Sequence, residues 1–201
     1  MSSHTSATHK SPDVASVEQR VAAIEQVFEQ RGMEPGPFID KMTHAAEEEW
    51  VPRNGARVVA KAWTDPAFRE RLFANGKNAV GELGLTMPPH HRHLVALENT
   101  PTVHNVIVCS LCSCTAFTII GLPPDWYKDL DYRARAVRES RTVLREMGLD
   151  LPPEIEIRVW DTTADTRYIV IPVQPPETMG WSEERLIDVV TKESMIGVSR
   201  L

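Results

Sequence analysis

The sequence predicts a mixed α/β protein, with a helical N-terminal arm followed by a domain in which short strands and helices alternate. Two observations predict it. From Val14 to Leu83, apolar residues recur at spacings of three and four within segments punctuated by Gly and Pro, which is the helical period. After Pro88-Pro89 the pattern changes to short β-branched or alternating runs, which are strand signals. A chain of 201 residues is long enough for one sizeable core plus an extended arm.

The elements follow in order. Residues 1–13 are rich in Ser, Thr and His and read as a disordered tail. Val17, Val21, Ile24 and Phe28 form one apolar face of a helix over 14–30, which Gly32 is placed to stop. A second helix is expected from Pro37 towards Glu49, and a third from Gly55 to Trp63. Asp65 as N-cap and Pro66 at the first helical position start a fourth, expected to reach Leu83 before Gly84. Strands are expected over 93–98 and 103–108. Leu122-Pro123-Pro124 breaks the chain, Tyr132 to Met147 reads as one helix, and Gly148 ends it. Strands over 154–160 and 168–173 flank the polar turn 162–165, as in a hairpin. A last helix over 182–191 and a short strand near 196–199 complete the reading.

Composition narrows the function. The formal net charge is −6, and no stretch is rich enough in Lys and Arg to follow a phosphate backbone, which argues against nucleic acid. No apolar run approaches the roughly 20 residues of a membrane span, and the N-terminus lacks the apolar stretch of a signal peptide. A cytoplasmic protein is expected. The three cysteines, packed into six residues, are a poor disulfide framework.

Cys109-x-x-Cys112-x-Cys114 follows the strand-like run Asn105 to Val108. Thiolates so close must curl the backbone into a claw if they share one ion, and soft sulfur ligands favour zinc, iron, cobalt or copper. A structural zinc would want a fourth ligand, for which His104 is the nearest candidate. A redox pair resolved by Cys114, or three cysteines buried as small hydrophobes, are the other readings of the spacing.

The surrounding string narrows this further. The run from Val106 to Cys114 closely resembles the claw of nitrile hydratase α subunits. The likeness continues through Gly121 to Lys128, Tyr132 to Arg138, Ile155 to Tyr168, Glu98 to Pro101 and Gly180 to Ser182. The resemblance implies a layered α-β-β-α domain over 86–201 carrying the claw, preceded by a helical arm over 14–85. It implies one non-haem metal per chain, held by the sulfurs of Cys109, Cys112 and Cys114 and the backbone nitrogens of Ser113 and Cys114. Cys112 would be a sulfinic and Cys114 a sulfenic acid, successive rungs of thiol oxidation. Cys114 and Ser113 would act in hydrating a small nitrile to its amide. Iron-type members tend to carry Ser at the claw's second position and cobalt-type members Thr, so Ser110 implies Fe(III), with cobalt(III) as the alternative. A β subunit, donating arginines to the oxidised sulfurs, and a metal-insertion activator are the implied partners.

Rival readings are a thiocyanate hydrolase-like subunit and a non-catalytic zinc or redox module. Asp161 and Arg167 are candidates for orienting the claw, or else a plain ion pair. Trp126 and Tyr127 are candidates for lining the pocket or the subunit interface, or for core packing. The chain departs from its relatives at Phe117-Thr118, at Glu82, and in the loop from Met87 to His93. The histidines of that loop read as a charge cluster rather than as ligands.

Overall fold

A computed structural model describes residues 15–112 and 114–201. The expected tail over 1–13 lies outside the described residues. The chain divides into two compact units, the first ending at Thr43 and the second running His44–Leu201.

In the first unit, α1 (Val17–Gln30) opens on a capping box in which Ser16 and Gln19 satisfy each other's backbone amides. Gly32, at φ +72°, takes the left-handed turn that ends it. Its apolar face stays uncovered: Val17, Val21, Ile24 and Phe28 are all exposed. α2 (Pro35–His44) likewise buries no residue. A π-helical turn, Ala45–Glu49, carries the expected second helix to its predicted end.

The second unit is layered. α3 (Pro52–Thr64) starts with Pro52 in the first turn and buries Val58, Val59 and Ala62. α4 (Pro66–Ala74) is capped by Asp65, whose carboxylate accepts from the Phe68 amide at 2.9 Å. Asp65→Ala is expected to cost about 1 kcal/mol, the usual value of an N-cap, readable as a lower melting temperature. The expected single helix 66–83 is in fact two. Asn75 leaves helical geometry and caps α5 (Gly76–Glu82) through the Asn78 amide at 3.1 Å.

β1 (His93–Glu98) and β2 (Val103–Val108) fall where the sequence places them. β3 (Glu156–Asp161) and β4 (Thr166–Ile171) also form, but not as a hairpin. Each pairs instead with a distant strand in parallel, β1 with β4 and β2 with β3. The turn 162–165 therefore connects two sheets rather than folding one strand onto its neighbour. α3, α4 and α5 pack on the β1–β4 sheet, β2 packs on β4, and α8 (Leu130–Arg138) and α9 (Ser140–Glu146) cover the β2–β3 sheet. This is an α-β-β-α layering, and α3–α5, which the sequence assigned to an arm over 14–85, form one of its outer layers. Val106, Ile107 and Val108 of β2 and Ile169, Val170 and Ile171 of β4 are buried on both faces, as parallel strands between layers require.

Further differences have local causes. Two one-turn helices, α6 (Phe117–Ile120) and α7 (Asp125–Lys128), flank the Pro123-Pro124 break and are too short to show a period. The expected helix 132–147 breaks at Glu139, whose ψ of 43° leaves the helical range. The final helix is also two, α10 (Glu183–Ile187) and α11 (Lys192–Ile196). The strand expected near 196–199 is absent, because Gly197 closes α11 at φ +94°. No helix among the described residues is long and apolar enough to cross a membrane.

Candidate metal centre

The claw springs from the carboxyl end of β2, beside the carboxyl end of β3, the place where parallel sheets commonly carry their sites. Val108 pairs in register with Asp161, and the Thr162 amide continues the ladder onto the Val108 carbonyl at 2.9 Å. Cys109 thus leaves a fixed, buried strand end, while Cys112 is exposed and Cys114 half-buried.

The structure brings the three predicted sulfurs together. Cys109 Sγ lies 3.0 Å from Cys112 Sγ, which lies 2.8 Å from Cys114 Sγ. No disulfide joins them. Metal–sulfur bonds of roughly 2.3 Å give sulfur–sulfur edges of about 3.8 Å on a tetrahedron but about 3.3 Å on an octahedral face. Both observed edges are shorter than either value, and all three sulfurs lie within 4.8 Å of one another, close enough to share one ion. Ser113, the remaining predicted ligand, lies outside the described residues.

Electrostatics favour a cation here. Burial works against the Cys109 thiolate, but donors including the Thr162 hydroxyl, the Cys112 thiol and the Cys114 and Cys112 amides bring it down to about 7. Partial desolvation and hydrogen bonds with its two sulfur neighbours push Cys112 up to about 12. The Cys109 thiolate suppresses that of Cys112, so a cation is what would let both ionise together. The donor set therefore fits a thiophilic transition-metal cation.

The claw's two ends are held differently. At its entry, Ser110 N donates to Asp161 Oδ1 at 2.9 Å, Ser110 Oγ bonds Asp161 Oδ2, and Arg133 Nη2 donates to the Ser110 carbonyl at 3.1 Å. At its exit, the Cys114 carbonyl accepts from Tyr127 OH at 3.3 Å and from Thr162 Oγ1 at 3.4 Å. Asp161 and Arg167 are not an ion pair. Arg167 is buried and donates to the Thr163 and Thr166 carbonyls. Tyr127 is wholly buried, and Trp126 packs edge-on against Tyr132 at 5.1 Å. The sequence reading gave no part to Thr162 or Arg133, because neither belongs to the contiguous cysteine motif.

A cavity of about 380 Å³ opens beside the claw, between Cys112, Cys114, His90, His91, Leu122 and Arg167. The loop expected to be a charge cluster is therefore part of this wall. His91 is buried and held neutral, its pKa lowered to about 4 by desolvation and by Arg167, His90 and Lys77. His91 Nδ1, Arg167 Nε and Thr115 Oγ1 are buried without protein partners, which marks the cavity as one for a polar guest or ordered water.

Comparison with known proteins points one way. The profile of the family described as nitrile hydratase, alpha chain, matches residues 15–199. An Fe-type nitrile hydratase from Comamonas testosteroni Ni1, solved as a double histidine-to-alanine mutant, superposes with a TM-score of 0.88 at 55% identity, covering 92% of this chain and 89% of that one. The cobalt-containing nitrile hydratase subunit alpha of Pseudonocardia thermophila is 47% identical over 180 residues, 89% of this chain and 88% of that subunit. Thiocyanate hydrolase subunit gamma of Thiobacillus thioparus is 40% identical over 190 residues, 88% of this chain and 78% of that subunit.

Proposed function

Because the chain belongs to the nitrile hydratase α-chain family, we propose that it hydrates small nitriles to amides at one Fe(III) held by its cysteine claw. The observation that carries this is the convergence of three sulfurs on edges of 2.8 and 3.0 Å beside a polar cavity. Cys109, Cys112 and Cys114 supply sulfur, and the backbone nitrogens of Ser113 and Cys114 complete the protein's share of the ligands. Bound there, a trivalent ion supplies Lewis acidity that polarises a carbon–nitrogen triple bond or acidifies water at neutral pH.

The chain's own residues do the rest. The cavity admits a small nitrile and a water between the claw and the His90–His91 wall. Cys112 as sulfinic and Cys114 as sulfenic acid present oxygens at that cavity and donate less charge to the metal than thiolates do. A Cys114 sulfenate oxygen would attack the nitrile carbon or take a proton from an attacking water, and Ser113 would hydrogen-bond at the same centre. His91, neutral and buried, accepts or donates a hydrogen bond without bringing charge into the site.

Iron is supported by Ser110 and by the likeness to the Comamonas enzyme, which is described as Fe-type. Cobalt(III) is the second reading, supported by the cobalt-containing relative from Pseudonocardia. An obligate β subunit is proposed as partner, because Cys112 and Leu111 stand exposed at the claw, Leu111 at 88%. The apolar face of α1 offers such a partner further surface. A metal-insertion activator would load the ion. Three cysteines without a disulfide fit a reducing compartment, and the cytoplasm is the proposed location.

Elemental analysis and peptide mass of the co-purified αβ complex test the reading. About one iron per α chain, with added oxygens on Cys112 and Cys114, is the expected result. Cobalt with the same oxygens keeps the activity and overturns the role given to Ser110. Zinc on three plain thiolates refutes the catalytic assignment.

A further inference from the structure

We propose that Asp161 and Thr162, consecutive residues at the carboxyl end of β3, brace the claw at both ends and hold its sulfurs in a metal-retaining arrangement. The inference rests on the metal-site reading above and adds two positioning residues to it.

The geometry comes from the strand. Successive side chains on a strand point to opposite faces, so neighbours can reach opposite sides of a loop lying across the strand's end. The register that sets Asp161 beside Val108 puts this dipeptide level with the start of the claw. Asp161, exposed, takes the amide and hydroxyl of Ser110 at the entry. Thr162, 5% exposed, turns inward and gives its hydroxyl to the Cys114 carbonyl at the exit. Arg133 and Tyr127 add one bond at each end.

Between these ends, the Leu111 side chain and Cys112 stand exposed, and the Cys112 amide bonds inward to Cys109 Sγ at 3.3 Å. Residues that orient metal ligands typically contribute a factor of about 10–100 in metal affinity, and Asp161 and Thr162 stand in that relation to the claw.

Paired variants test this in the αβ complex. Asp161→Ala and Thr162→Val remove the two anchors. Asp161→Asn keeps one oxygen for the Ser110 amide and offers an amide group to its hydroxyl, and Thr162→Ser keeps the hydroxyl. Three readouts are compared: melting temperature, metal remaining after a fixed exposure to a chelator, and the metal–sulfur absorption band. The Ala and Val variants are expected to lose metal about 10–100-fold faster, with a shifted band, and Asn and Ser to restore retention. Wild-type retention in both Asp161→Ala and Thr162→Val overturns the brace. A fall in melting temperature that tracks the metal loss, with no rescue by Asn or Ser, overturns it too and assigns these residues to fold support. The wild-type sample reports the underlying reading separately. Zinc on plain thiolates there removes the nitrile hydratase site, while the retention ratios still judge the brace.

Discussion

The Cys114→Ser variant is expected to carry less than about a tenth of the wild-type metal and to hydrate nitriles more than about 100-fold more slowly. The reasoning compares it with the brace. Losing a group that merely orients a ligand costs about 10–100-fold in metal affinity, and losing the ligand atom itself should cost more. A serine hydroxyl is far less acidic than a thiol and its oxygen sits closer to its own backbone, so it neither replaces the thiolate as a ligand nor reaches to the 2.8 Å edge that Cys114 makes with Cys112. The Cys114 backbone cannot easily shift to compensate, since its carbonyl is held by Tyr127 and Thr162. Metal analysis and initial hydration rates of the αβ complex check the result together. A variant with full metal and wild-type rate would remove Cys114 from the site.

The largest expected effect on stability comes far from the claw. Gly197→Ala is expected to cost about 4 kcal/mol, near the upper end for single substitutions. Gly197 sits at φ +94°, where a side chain alone costs roughly 1–2 kcal/mol. A methyl group there would also run into the Asn105 backbone carbonyl and the Val106 Cα. That strand has little room to yield. Asn105 Nδ2 donates to the Glu98 carbonyl at 2.7 Å, Asn105 Oδ1 accepts from Trp160 Nε1 at 2.8 Å, and His104 Nε2 donates to the Gly197 carbonyl at 2.7 Å. Gly84 provides the control. It too has positive φ, at +74°, but a methyl group there meets nothing within 4 Å. Gly84→Ala should therefore cost only the backbone share. Chemical denaturation of both variants measures the difference, and equal losses would refute the close-approach argument.

What the sequence shows of this protein follows from how local each feature is. The cysteine cluster was legible because its sulfurs lie within six residues, but the spacing alone left zinc, redox and packing readings open, and only the surrounding string pointed to the claw. α1 was legible from its apolar period and its stop at Gly32. Strand positions were legible too, but strand partners were not. Periodicity says that 156–161 is extended; nothing local says that it pairs with 103–108 in parallel. The turn 162–165 resembled a hairpin for that reason. Glu139 breaks a long helical pattern with no Gly or Pro beside it, and the Asn75-Gly76 signal at the other break went unread, so one helix was read where two stand. Thr162 and Arg133 escaped notice because their roles depend on chain segments far from the cysteines. His91 looked like part of a charged loop, and only the fold shows it buried beside the cavity.

The parallel pairing also orders events during synthesis. Ser110 emerges from the ribosome 51 residues before Asp161, so all three thiols exist well before their anchors do. β1 waits longer still, since its partner begins at Thr166. Non-local pairings of this kind close late, because loop-closure entropy must be met first. A nascent claw is then a loose trio of soft nucleophiles, open to whichever ion or oxidant arrives first. On the proposed reading, metal delivered after translation of β3 and β4 would meet a claw already held by Asp161 and Thr162.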